Sequence, residues 1–170
     1  MPQINRPQIN SRRCNNRGIQ NLVDGLTDSD DQYAYRCLKQ LAAENSRSAS
    51  VYLFFAVFAG MLNHVNSYVR SRAIILIAAN AKWDTDYKID EIIDQYLKHI
   101  MDEKPITARQ CIKSLPLIAR YKPELKEPIV KALQTPGNKV HYMVCIVYCL
   151  FHIIFNQLYF QGIACLYTVS

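Results

Sequence analysis

The stretch from Asn66 to Gln134, NSYVRSRAIILIAANAKWDTDYKIDEIIDQYLKHIMDEKPITARQCIKSLPLIARYKPELKEPIVKALQ, decides the fold. Val69, Ala73, Leu76, Ile77 and Asn80 recur at helical spacing, and Ser67 stands where a capping hydroxyl is expected. Asp84 and Asp86 interrupt the pattern. Ile89, Ile92, Ile93, Tyr96, Leu97 and Ile100 then form the clearest amphipathic stripe in the chain. After Asp102-Glu103-Lys104, Pro105 sits at a first-turn position, and Ala108, Cys111, Ile112, Leu115 and Ile118 mark the next helix. Pro116 lies inside that helix and predicts a kink. Pro123 opens a last segment with Leu125, Ile129 and Leu133 on one face.

Upstream the pattern is looser. Ile19, Leu22, Val23 and Leu26 fall at i, i+3, i+4 and i+7, a short helix. Asp28-Ser29-Asp30-Asp31 ends it and supplies caps for a second helix with Ala34, Leu38, Leu41 and Ala42 inside. Val51 to Leu62 is apolar nearly all round, so a helix buried from more than one side is expected there. It is too short to span a bilayer. Residues 1–17 duplicate a Pro-Gln-Ile-Asn phrase and carry Arg6, Arg12, Arg13 and Arg17 without any apolar face. A flexible basic arm is expected.

At 170 residues with half of them apolar, the chain is long enough to bury a continuous core. Its net charge of +6 suggests a nucleic acid or an acidic partner, but four of the cations lie in the N-terminal arm and most others are interleaved with Asp and Glu, which weakens that reading. From Asp84 to Glu103, seven acidic residues face only Lys88 and Lys98, a local balance of −5. Such a segment repels a phosphate backbone, and nucleic acid is not the expected partner. No secretory signal precedes the first helix, and Cys14, Cys37, Cys111, Cys145, Cys149 and Cys165 include no CxxC pair. Reduced thiols in a cytoplasmic protein are expected.

A period emerges from these segments. Leu41-Ala42-Ala43-Glu44-Asn45 matches Leu76-Ile77-Ala78-Ala79-Asn80 at an offset of 35, and Val69-Arg70 matches Ala108-Arg109 at 39. Each unit reads as helix, polar turn, then a second helix with Arg in its first turn. Two-helix units of this length are the mark of an α-solenoid, in which each unit buries its stripe against its neighbours. The units fall at about 18–45, 47–82, 88–121 and, in part, 123–134.

The phrases Asn66-Ser67-Tyr68-Val69-Arg70, Ala79-Asn80-Ala81-Lys82-Trp83-Asp84 and Lys104-Pro105-Ile106-Thr107-Ala108-Arg109-Gln110-Cys111 resemble a HEAT-repeat family of clostridial bacteria. Some of its members are labelled SufBD-like, after an iron–sulfur assembly protein. No Cys/His constellation lies in the repeat region to hold a cluster, so no cofactor is expected. The resemblance implies an all-α fold, a right-handed α-α superhelix of antiparallel helix pairs. It also implies that a second-helix Arg reaches an acidic residue of the turn, pairing Arg109 with Asp102 and Arg36 with Asp28 or Asp30. Arg70 departs from this, because Asn63 stands where an Asp belongs. These arginines are read as structural ties.

Trp83-Asp84 is the most enzyme-like pair. The alternative it raises is a HEAT-like DNA-binding protein or a relative of the alkylpurine DNA glycosylases, which hold a damaged nucleotide with aromatic side chains and an Asp. A Trp covering the core between units, followed by a capping Asp, explains the same pair. His64 and His99 lack a carboxylate, Ser or Cys partner at useful spacing, and no phosphate loop, nucleophile elbow or paired-Cys metal motif occurs. The expectation is a non-enzymatic helical-repeat scaffold with a protein partner, contacted through second-helix positions such as Arg72 and Lys113. Oligomeric state is left open.

Residues 135–170 break the pattern, with no charge from Val140 to Ser170. Three readings stand. Residues 140–160 would form a membrane helix and tether an adaptor, with Lys139 on the cytoplasmic side. Alternatively, His141, Cys145, Cys149 and His152 line one side of a helix, although about 16 Å from first to last prevents one ion from using all four. Or the segment is the aberrant end of an out-of-frame or truncated gene.

Overall fold

The computed structural model describes residues 17–134. The expectations placed on the arm and on the uncharged tail lie outside them. The described residues are all-helical: α1 over residues 17–24, α2 at Asp31–Arg47, α3 at Phe55–Met61, α4 at Ser67–Asn80, α5 at Lys88–Lys98, α6 at Pro105–Tyr121 and α7 at Lys126–Leu133. Short 3₁₀ turns lead out of α1, α4 and α5 and into α3 and α7.

Local chemistry sets the boundaries. Asp30 caps α2, its carboxylate accepting from the Gln32 and Tyr33 amides. Asn66 rather than Ser67 caps α4, accepting from the Tyr68 amide, so Ser67 is the first helical residue. Pro105 opens α6, where its missing N–H costs nothing. That helix runs on through Pro116 to Tyr121.

One core holds these elements together. Ile19, Val23 and Leu26 join Leu38 and Leu41 of α2, and Ile89, Tyr96 and Ile100 join Ile112, Leu115 and Ile118 of α6. The central element is α4. It packs against α6, α3 and α2, and every residue from Val69 to Ala78 is buried. A helix covered on all sides has no polar face, and Ile74 to Ala79 is accordingly an unbroken apolar run. Each large aliphatic there contributes roughly 1.5–3 kcal/mol on burial.

The all-round burial expected for Val51 to Leu62 belongs to α4 instead. The earlier segment divides into a 3₁₀ turn at Ala49–Phe54 and the short α3. Val51, Phe55, Phe58 and Leu62 face inward, whereas Leu53 and Val57 are 69% and 46% exposed. Among the described residues, no helix is long and apolar enough to cross a membrane.

Candidate functional site

Two buried arginines on α4 bind the entry turns of the helices on either side. The Arg70 Nε and Nη2 atoms donate to the two carboxylate oxygens of Asp102, at 2.9 and 2.7 Å, in the turn leading into α6. Its Nη1 donates to the carbonyls of His64 and Val65, in the turn leading into α4 itself. Arg72, 5% exposed, points the other way. It donates to the Leu26 carbonyl at 2.9 Å and pairs with Asp31, at the start of α2.

Asp102 is fully engaged. Besides Arg70 it accepts from the Lys104 amide at 2.9 Å and contacts His99 Nδ1 at 2.9 Å. Burial alone pushes this carboxyl up, but the bonds from Arg70, Lys104 and His99 outweigh it and hold the pKa below the usual aspartate range. The bidentate guanidinium geometry is the strong form of such a pair.

A second buried cluster centres on Asp84. Its oxygens accept from the Tyr52 hydroxyl at 2.7 Å, the Lys88 amide at 2.9 Å, the Ile89 amide at 3.1 Å and the Lys122 ammonium at 3.0 Å. Lys122 also lies 3.2 Å from Asp90 and 4.4 Å from the centre of the Tyr87 ring. Tyr87 has a φ of +58°, left-handed backbone that is costly for a bulky residue. That turn sends the chain into α5 with the first amides directed at Asp84. Burial raises the Asp84 carboxyl, but the four donors prevail and its pKa falls. Burial lowers the Lys122 ammonium, but Asp84 and Asp90 prevail and its pKa rises. Tyr52 is pushed well up, by burial and then by its bond to Asp84.

A third set joins the ends of α2 and α4. Trp83 Nε1 donates to the Asn45 carbonyl at 2.8 Å, and Lys82 Nζ donates to the Ser46 carbonyl at 2.9 Å. Asn45 Nδ2 returns a bond to the Ala79 carbonyl at 2.7 Å. Each helix thereby satisfies C-terminal carbonyls of the other. On α6, the Thr107 hydroxyl donates to the Ser67 carbonyl at 3.2 Å, and Ser71 donates to the Thr107 hydroxyl at 3.3 Å.

Several expected roles change. Arg109 does not pair with Asp102: it is exposed, and Asp102 is occupied by Arg70 from the neighbouring helix. Arg36 does not reach Asp28 or Asp30, which cap the backbone at Asp30 and at the start of α2. Its guanidinium instead lies 5.8 Å from the Tyr33 ring centre. Arg72 is no exposed contact residue, because its charge is sunk between α4 and the α2 entry turn. Lys113 is half-buried on α6. His99 has a carboxylate partner that spacing alone did not disclose, and His64 Nδ1 accepts from the Asn66 amide. Lys122, Tyr52 and Asp90 join a buried cluster that was not expected from the sequence. A lone Lys ahead of Pro123 carries no signal of burial.

Chemically these groups are saturated. A carboxylate offers about four acceptor positions, and both Asp84 and Asp102 fill theirs with protein donors. Neither has an acceptor position left for a substrate proton. Among the described residues, no group of three or more His, Cys, Asp or Glu is placed to hold a metal ion. No protein-family model, curated protein or solved structure matches the chain.

Proposed function

We propose that the chain is a non-enzymatic helical-repeat scaffold, an α-solenoid of the HEAT type, that presents its surface to a protein partner. The observation that carries this reading is the spacing of the bonds that join its helices. Tyr52–Asp84 and Arg70–Asp102 are 32 residues apart, Asn45–Ala79 34, Ser71–Thr107 36 and Trp83–Asn45 38. Ties that recur at about one unit length are what stacked helix pairs require, since each unit meets only its neighbours. The saturated carboxylates support a structural rather than a catalytic use of the buried charges.

Trp83 supports the same reading over a glycosylase-like one. Its ring packs against the core, its N–H is committed to Asn45, and Lys82 lies 4.6 Å from its ring centre. Little of the ring is left for a base to stack on.

The test is reconstitution. A protein recovered with the tagged full chain should bind the purified chain again at fixed stoichiometry, and Lys113→Glu should weaken that binding. Arg72→Glu is unsuitable, because it would place a charge repelled by Asp31 inside the fold. Absence of any partner that rebinds the purified chain would refute the proposal.

A further inference from the structure

The outward face of α2 is basic, and its charges are not matched by carboxylates. Arg36, Lys39, Ala43 and Arg47 are exposed at i, i+3, i+7 and i+11, one line along the helix opposite Leu38, Leu41 and Asn45. At 1.5 Å per residue the line is about 16 Å long. Lys82 joins its C-terminal end, held at the Ser46 carbonyl. The carboxylates nearby have other partners: Asp24 accepts from Gln20, Asp28 and Asp30 accept from backbone amides at the start of the helix, Asp31 pairs with Arg72, and Glu44 accepts from the Ser48 hydroxyl. Among the described residues, none of Arg36, Lys39 and Arg47 has an ion-pair partner.

We infer that this strip, Arg36, Lys39 and Arg47 with Lys82 at its end, is a docking surface for an extended acidic peptide segment of a partner protein. The inference rests on the scaffold reading and names the chemistry of its partner. Length and charge argue for peptide. An extended chain advances about 3.3 Å per residue, so the strip matches about five residues, room for two or three carboxylates. Arginine offers the planar fork that carboxylates accept. A nucleic acid is a poorer match, because Arg36 and Lys39 already lie over one face of the Tyr33 and Tyr35 rings on which a base would stack, at 5.8 and 5.0 Å from the ring centres.

The experiment uses the full chain and three dye-labelled probes: a Glu/Ser peptide of eight residues, its Gln/Ser counterpart, and a short oligothymidylate. Fluorescence anisotropy is read at low and at physiological salt. The acidic peptide should bind, more weakly as salt rises. Arg36→Glu/Lys39→Glu should weaken it roughly tenfold or more, while the equal charge change Lys98→Glu/Lys126→Glu leaves it close to unchanged. Circular dichroism confirms that both variants are folded. Failure of the acidic peptide to bind at low salt overturns the inference, as does equal weakening by both pairs. Tighter binding of the oligothymidylate that is lost in Arg36→Glu/Lys39→Glu assigns the strip to nucleic acid and overturns it too. So does self-association abolished by the same variant, which would pair the strip with the acidic stretch of a second copy. If the peptide fails while a reconstituted partner still binds through Lys113, the scaffold reading stands and this surface alone falls.

Discussion

Replacing Asp102 by Ala would leave the Arg70 guanidinium buried with two carbonyl acceptors and no counter-charge. The two side chains are 9% and 5% exposed, so solvent cannot compensate. Removing one member of a buried pair costs roughly 3–5 kcal/mol, and the surviving bonds to His64 and Val65 place this case near the lower end, about 3 kcal/mol. Arg70→Met leaves Asp102 with His99 and the Lys104 amide, a loss of about 2–3 kcal/mol. The double variant removes both charges, so it should lose less than the sum of the singles by roughly 2 kcal/mol. Urea unfolding of the full chain, followed by Trp83 fluorescence and far-ultraviolet circular dichroism, measures all four corners of the cycle. Asp102→Ala within about 0.5 kcal/mol of the parent would refute the reasoning, since that is the range of an ordinary surface change. So would strict additivity in the double variant.

Three further outcomes follow from the other buried groups. Lys122→Met should cost about 3 kcal/mol near neutral pH, because Asp84 and Asp90 are left without their cation, and less in acid, where one carboxyl takes up a proton; chemical unfolding at two pH values checks this. The pKa values of Asp84 and Asp102 are depressed on folding, so their stabilisation is complete above the unfolded value near 3.9 and is lost as pH falls below it. The raised Lys122 has the opposite sense, its contribution present below about 10.4 and lost as pH climbs through the higher folded value, and urea midpoints across the pH range should fall at both ends. Trp83→Phe keeps most of the packing but orphans the Asn45 carbonyl, a loss of about 1 kcal/mol readable as a lower melting temperature by circular dichroism.

Much of the helix content was legible in the sequence. Ile89 to Ile100 and Ala108 to Ile118 carry a period that only a helix satisfies, and Asp30 and Pro105 announce helix starts. What the pattern concealed was which helix lies at the centre. Arg70 and Arg72 make the start of α4 look solvent-facing, and the longer apolar stretch from Val51 to Leu62 competes for the central place. The ties were legible as residue types but not as pairs. Asp102 lies seven residues from Arg109 and 32 from Arg70, and sequence proximity favoured the wrong arginine. Only the packing of α4 against α6 decides the choice, because it aims Arg70 at the α6 entry turn. Lys122 was illegible for a related reason: its burial depends on Asp84, Asp90 and Tyr87 converging from segments more than 30 residues away.

The central claim is that α4 is the element through which α2 and α6 are held together, its arginines fastening the entry turns on both sides. Native-state hydrogen exchange of the full chain tests it most directly. Amides of α4 from Ala73 to Ala78 should be the slowest to exchange and should open only with global unfolding. Exchange of these amides through local opening, faster than in α2 or α6, would contradict it.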